Sequence, residues 1–177
     1  MNQEQIHARH LVELGQLEAI FTEMGYAAQL VEKSPQLPFH TLLVGLEPDA
    51  KGRPMQMALT FYPLGEDELE NTLLLQYFIE LPFDLDEKGL ARAMELLPHI
   101  NNKAVVGHFG VTDGQNKLHY RYVQALPLYE TVSQEAVSDV VVLVSYTPVL
   151  FGDVLEELAE GKISVEQARA KVDAKYA

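Results

Sequence analysis

The sequence predicts an α+β fold: a largely antiparallel sheet of about five strands with helices packed on it, in the order α-β-β-β-α-β-β-α-α. Three stretches carry that prediction. Val105 to Leu128, VVGHFGVTDGQNKLHYRYVQALPL, reads as a hairpin closed by a proline stop, because Asp113-Gly114 in the polar DGQNK loop supplies the backbone angles of a tight turn. From Met55 to Tyr62, Met55, Met57, Leu59 and Phe61 alternate with Gln56, Ala58, Thr60 and Tyr62, the period-two pattern of a half-buried strand. Ile6, His10, Leu14, Leu17, Ile20, Phe21 and Met24 recur at helical spacing ahead of every strand. Short connections between strands favour hairpins, hence antiparallel pairing, with the helices forming a second layer.

In chain order, the first helix spans residues 3–27, with Gly25 as its C-cap. Ser34-Pro35-Gln36-Leu37-Pro38 breaks the chain and is the best linker candidate. Phe39 to Leu46 is the first strand, and Met55 to Tyr62 the second. An acidic loop over Glu66 to Glu70 precedes a third strand, Thr72 to Glu80, whose continuous apolar character suits a central position. Pro82 and Asp84 end it. Asp86 caps a helix running to about Ile100, with Leu90, Met94 and Leu97 on one side and Pro98 near its end. In the hairpin that follows, Phe109, Val111, Leu118, Tyr120 and Tyr122 share one face, and His108, Gly110, His119 and Arg121 the other. Val140-Val141-Val142-Leu143-Val144 has strand propensity. Few turn residues separate Ser133 from Glu160, however, so a long helix capped by Ser133 and ending near Gly161 is favoured. Ser164 and Gln167 match a capping box opening a short terminal helix. The expected organisation is one domain over residues 1–161 and a C-terminal helical extension over 162–177.

Composition narrows the function classes. The chain has 177 residues, 47% of them hydrophobic, as in ordinary globular proteins. No uninterrupted apolar run approaches the roughly 20 residues of a membrane span, and MNQEQIHARH lacks a signal pattern, so a cytoplasmic location is expected. The absence of cysteine excludes disulfides and thiolate metal sites. With 26 acidic and 13 basic residues the net charge is −13, and Lys and Arg occur singly, which argues against nucleic acid. The acidity itself reads first as solubility, and second as a surface for a basic partner.

No nucleophile elbow, phosphate loop, dinucleotide fingerprint or HExxH pattern occurs, and no cofactor is expected. His7 and His10 lie one helical turn apart without further ligands in sequence, while His40 and His99 are isolated. Two weak candidate sites remain. His108, His119 and Arg121 share the polar face of the hairpin and form a candidate anion or ligand face. Met55, Met57, Phe61 and Tyr62 form a candidate partner-binding surface, since Met-rich surfaces adapt to varied partners; core packing is the favoured reading of that stripe.

The run Ala91-Arg92-Ala93-Met94-Glu95-Leu96-Leu97-Pro98-His99-Ile100-Asn101-Asn102, followed by VVGHFGVTDGQNKLHYRYVQALPL, resembles the YbjN family. The shared features are a helix ending in an Asn-containing turn, a short Gly-x-Phe strand, an Asp-Gly hairpin, a Tyr-Arg-Tyr strand and a Leu-Pro-Leu exit into a long helix. The element order agrees over roughly residues 1–160; the terminal piece from Ser164 and the Glu66–Glu70 connector fall outside the likeness. The resemblance implies the type III secretion chaperone-like fold, no catalytic residues, and a regulatory or chaperone-like role. It favours helix for Val140 to Val144. It also implies a protein partner and a homodimer, since secretion chaperones of that fold are dimers that bind extended segments. The expectation is a non-enzymatic protein-binding module capturing a partner on an apolar sheet or edge surface, with a small-molecule or anion sensor as the alternative.

Overall fold

A computed structural model describes residues 3–35, 37–64, 71–112, 114–128 and 132–175. The elements are α1 (Gln3–Glu23), β1 (Ala28–Val31), β2 (Thr41–Leu46), β3 (Met55–Phe61), β4 (Thr72–Asp84), α2 (Glu87–Asn101), β5 (His108–Val111), β6 (Lys117–Pro127), α3 (Gln134–Ala159) and α4 (Val165–Ala174). Six strands form one sheet in the order β1-β2-β3-β4-β6-β5, every pair antiparallel.

This is the predicted class with one more strand. The four residues of β1 lie where the first helix was expected to end. Gly25, at φ +89°, breaks α1 early and turns the chain straight into β1. β4 also runs past its expected end at Glu80. Its pairing with β6 shifts register between Glu80 and Asp84, and Pro82 sits inside that irregularity, where no ladder hydrogen bond is needed from it. The expected acidic loop over Glu66 to Glu70, Gln36 of the linker and Asp113 of the hairpin turn lie outside the described residues.

All the large buried strand residues point to one side. Leu42 and Val44 of β2, Met55, Met57, Leu59 and Phe61 of β3, Leu75, Tyr77, Ile79 and Leu81 of β4, Phe109 of β5 and Leu118 and Tyr120 of β6 form a continuous core with the helices. α1 packs on β1, β2 and β3. α2, α3 and α4 pack on one another, with α3 against β4 and α2 against β5. α3 answers the Val140 to Val144 conflict: Val137, Val141 and Val144 are buried one helical turn apart, so tertiary burial at period 3.6 overrides strand propensity. Asp86, Ser133 and Ser164 cap α2, α3 and α4 as expected, and Pro98 lies within the last turn of α2. Ala168 and Val172 of α4 are buried in the same core.

The 26 residues of α3 are long and apolar enough to cross a membrane by length and composition, although Glu135, Asp139, Asp153, Glu156 and Glu157 interrupt the apolar run. In the fold that helix lies on the sheet, its inner stripe buried.

Candidate open sheet face and edge

The hairpin has the predicted faces. His108 pairs with Arg121, Phe109 with Tyr120, Gly110 with His119, and Val111 with Leu118. Phe109, Leu118 and Tyr120 therefore enter the core, while His108, His119 and Arg121 stand on the side that carries no helix.

That register also separates the four residues of the other candidate site. Met55, Met57 and Phe61 are buried beneath the helices, where no partner reaches them, so the period-two stripe is core. Only Tyr62, one position past β3, turns onto the open face, and there it joins the other set. Its hydroxyl donates to Gln76 Oε1 at 2.7 Å. Arg121 Nε donates to the same Gln76 oxygen at 2.6 Å, and the Arg121 guanidinium also donates to the Tyr62 hydroxyl. The Arg121 guanidinium lies 5.8 Å from the Tyr62 ring centre. These acceptors are neutral, and among the described residues no carboxylate pairs with Arg121. His119 leans on the Phe78 ring with centroids 4.7 Å apart, and its Nδ1 lies 3.1 Å from Thr112 Oγ1. Lys117 Nζ pairs with Glu80 at 2.8 Å. The open face is thus half-buried and mixed: an apolar strip of Leu43, Ala58 and Phe78 beside a polar network on β4 and β6.

The sheet edge has a more definite geometry. The Thr112 N–H donates to the Lys117 carbonyl at 2.9 Å, and the Leu128 N–H to the Asn71 carbonyl at 2.9 Å. Since main-chain groups alternate sides along a strand, the odd positions of β6 face β5 and the even ones face β4. β5 covers only Leu118 to Arg121. At Gly107 the chain leaves β6 with φ +66°. A Cβ there would come within 2.7 Å of the Arg121 carbonyl, so glycine is what allows the departure. Beyond that point the N–H and C=O of Val123 and Ala125 and the C=O of Pro127 point outward, and among the described residues no hydrogen bond reaches Val123 or Ala125 from that side.

The terminal strands are treated differently. Asn101 works as a side-chain strand on β5: its Oδ1 accepts from the Phe109 N–H at 2.7 Å and its Nδ2 donates to the Phe109 carbonyl at 3.0 Å. On the opposite edge, Glu18 Oε1 accepts from the outward Leu30 N–H of β1 at 2.7 Å. Sequence reading found neither cap, because each depends on a helix lying beside a strand.

Histidines at the α1 end come together as sequence spacing could not show. His40 joins His7 and His10, with His7–His40 and His7–His10 centroids 6.0 and 6.5 Å apart. Among the described residues no group of three or more ligand-type side chains is arranged to hold a metal ion. His99 lies 3.0 Å from Asp173, tying α2 to α4.

No family model matches the chain, and no curated protein matches it. Among solved structures it is similar to YbjN from E. coli, described as a candidate transcription regulator, with 14% identity and a TM-score of 0.46 over 84% of this chain and 93% of that one. That is the family the sequence resemblance points to.

Proposed function

We propose that this chain is a non-enzymatic, cytoplasmic protein-binding module that takes up an extended segment of a partner as an added strand on β6. The observation carrying the reading is the contrast at the sheet margins. The outward groups of Phe109 and the outward Leu30 N–H are capped by side chains, and among the described residues those at Val123 and Ala125 are not. Exposed ladder groups template an extended backbone, which satisfies them with main-chain hydrogen bonds while its alternate side chains reach the two faces. Nucleic acid is disfavoured: Lys51, Arg53, Lys103, Lys117, Lys162 and Lys171 are each paired with a carboxylate.

The test is a selection from displayed random peptides, followed by NMR mapping. Binders are expected to perturb the Val123 and Ala125 amides first, and Ala125→Pro, which deletes one outward N–H without disturbing the β4 ladder, is expected to abolish binding. Binders that perturb other surfaces, or that survive Ala125→Pro, overturn the reading. A homodimer would use the same edge twice, and solution mass across a concentration series distinguishes it from a monomer.

A second reading, an anion sensor on the polar face, is favoured by one observation: among the described residues Arg121 donates only to neutral acceptors, with His108 opposite it across the strands. A panel of small carboxylates and phosphates should then raise the melting temperature of the native chain and leave that of Arg121→Gln unchanged.

A further inference from the structure

We propose that α1 is an acid-released cover: protonation of the His7, His10 and His40 cluster in mildly acidic solution detaches α1 from β1–β3 and uncovers Phe61 and the apolar side chains around it. The inference is independent of the strand-addition reading.

Position comes first. His10 is 4% exposed and stacks on Phe61, ring centroids 5.2 Å apart and planes 25° from parallel. His7 meets the rings of both His10 and His40 edge-on. His40 is nearly as buried as His10, and its Nδ1 accepts the Lys33 N–H at 3.1 Å. The three imidazoles therefore sit in the seam between the first half of α1, the segment joining β1 to β2, and β3.

The charges around the seam oppose protonation. From α1 comes Arg9, which lies 4.0 Å from Glu13 and donates to the Leu128 carbonyl. From the β1–β2 segment come Lys33 and Glu32. From β3 the facing group is the uncharged Phe61. Two glutamates, Glu13 beside Arg9 and Glu32 near His40, thus stand against Lys33, Arg9 and whatever charge the histidines acquire. Burial first, and then His7, His40 and Arg9, push His10 down to about 4. Burial and Lys33 lower His7 and His40 as well, with Glu32 a smaller opposing influence on His40. A histidine whose folded value is depressed favours the folded arrangement while neutral. That advantage is complete above about pH 6.5 and is lost as pH falls below it.

Local release, rather than global unfolding, follows from how α1 is attached. The other three helices are packed on one another, whereas α1 lies on β1, β2 and β3. Among the described residues its side-chain hydrogen bonds to the rest of the fold include Arg9 to the Leu128 carbonyl and Glu18 to the Leu30 N–H, and Leu14, Leu17 and Phe21 bury its apolar side against the sheet. An element that packs on the sheet alone, outside the mutually packed α2–α4 layer, can open as its own unit below the global free energy.

Amide hydrogen exchange on the full chain at pH 7.5 and 5.0, corrected for intrinsic exchange rates, tests this. His10 alone predicts that the opening equilibrium of α1 rises about 30-fold between these conditions while α2, α3 and α4 keep their protection. Dye binding to newly exposed apolar surface should rise with it. In His10→Leu, where the stack on Phe61 is kept apolar and cannot ionise, most of the rise should disappear. Unchanged α1 protection at pH 5.0 overturns the proposal, as does simultaneous loss of protection in α1 and the α2–α4 layer. Should His10→Leu fold poorly, NMR titration of the imidazoles in the unaltered chain decides: a His10 that titrates at 6.5 or above, with α1 still docked, refutes it.

Discussion

Two adjacent rows of side chains cross the sheet one residue apart. The first, Val44, Met57, Ile79, Tyr120 and Phe109, faces the helices. All five are essentially inaccessible. The second, Leu43, Ala58, Phe78, Arg121 and His108, faces away from them, and none is fully buried. Both rows share the same backbone ladder. The difference teaches where this chain invests stability and where it leaves surface free to recognise something. The covered row removes apolar area from water at about 25 cal/mol per Å². The open row holds polar cross-strand partners that contribute a few tenths to about 1 kcal/mol each.

The sharpest way to break the comparison is to truncate one residue in each row. Phe109→Ala empties space between Tyr120 and Phe151 and is expected to lower the unfolding free energy by about 4 kcal/mol, read by urea denaturation. A second handle lies on the covered side, where His10 is buried against Phe61. Stability should fall by up to about 3 kcal/mol as pH drops from 6.5 towards 4, and His10→Leu should flatten that slope.

Next in size comes Glu156, a carboxylate buried on α3. Arg53 binds both its oxygens at 2.8 Å, and Lys51 pairs with it at 2.8 Å, clamping the β2–β3 connection to α3. Glu156→Gln leaves Lys51 without its carboxylate and Arg53 with Asp49 alone, and should cost about 2 kcal/mol in a denaturation measurement at pH 7. The hydrogen bond from Arg53 is the leading cause that holds the Glu156 carboxyl below its usual value. Its contribution is therefore present above about pH 4.5 and lost as pH falls below that. The smallest effect belongs to the open row: Arg121→Ala should change stability by less than about 1 kcal/mol. A loss approaching that of Phe109→Ala would mean that the open face is structural and would remove the contrast between the rows.

Local patterns made much of the fold legible. The hairpin faces, the caps at Asp86, Ser133 and Ser164, and the alternation in β3 all depend on neighbours within a few residues. What stayed hidden depended on distant partners. β1 is four residues with no pattern of its own, and it exists because β2 pairs with it and Glu18 caps it. His40 acquires its meaning only when β2 is brought against α1. Tyr62 and Arg121 are 59 residues apart and belonged to two separate candidate sites until the pairing of β3, β4 and β6 set them side by side. The open edge of β6 was illegible for a related reason: it is defined by how early β5 stops.

A sheet clothed on one side has a thermal signature. Heat capacity rises on unfolding in proportion to the apolar surface newly wetted, and the outer face of this sheet is already in contact with solvent. The unfolding transition should therefore show a smaller heat-capacity increment and a shallower denaturant dependence than a two-sheet sandwich of equal length. Its stability should also vary less steeply with temperature, so that cooling weakens it less.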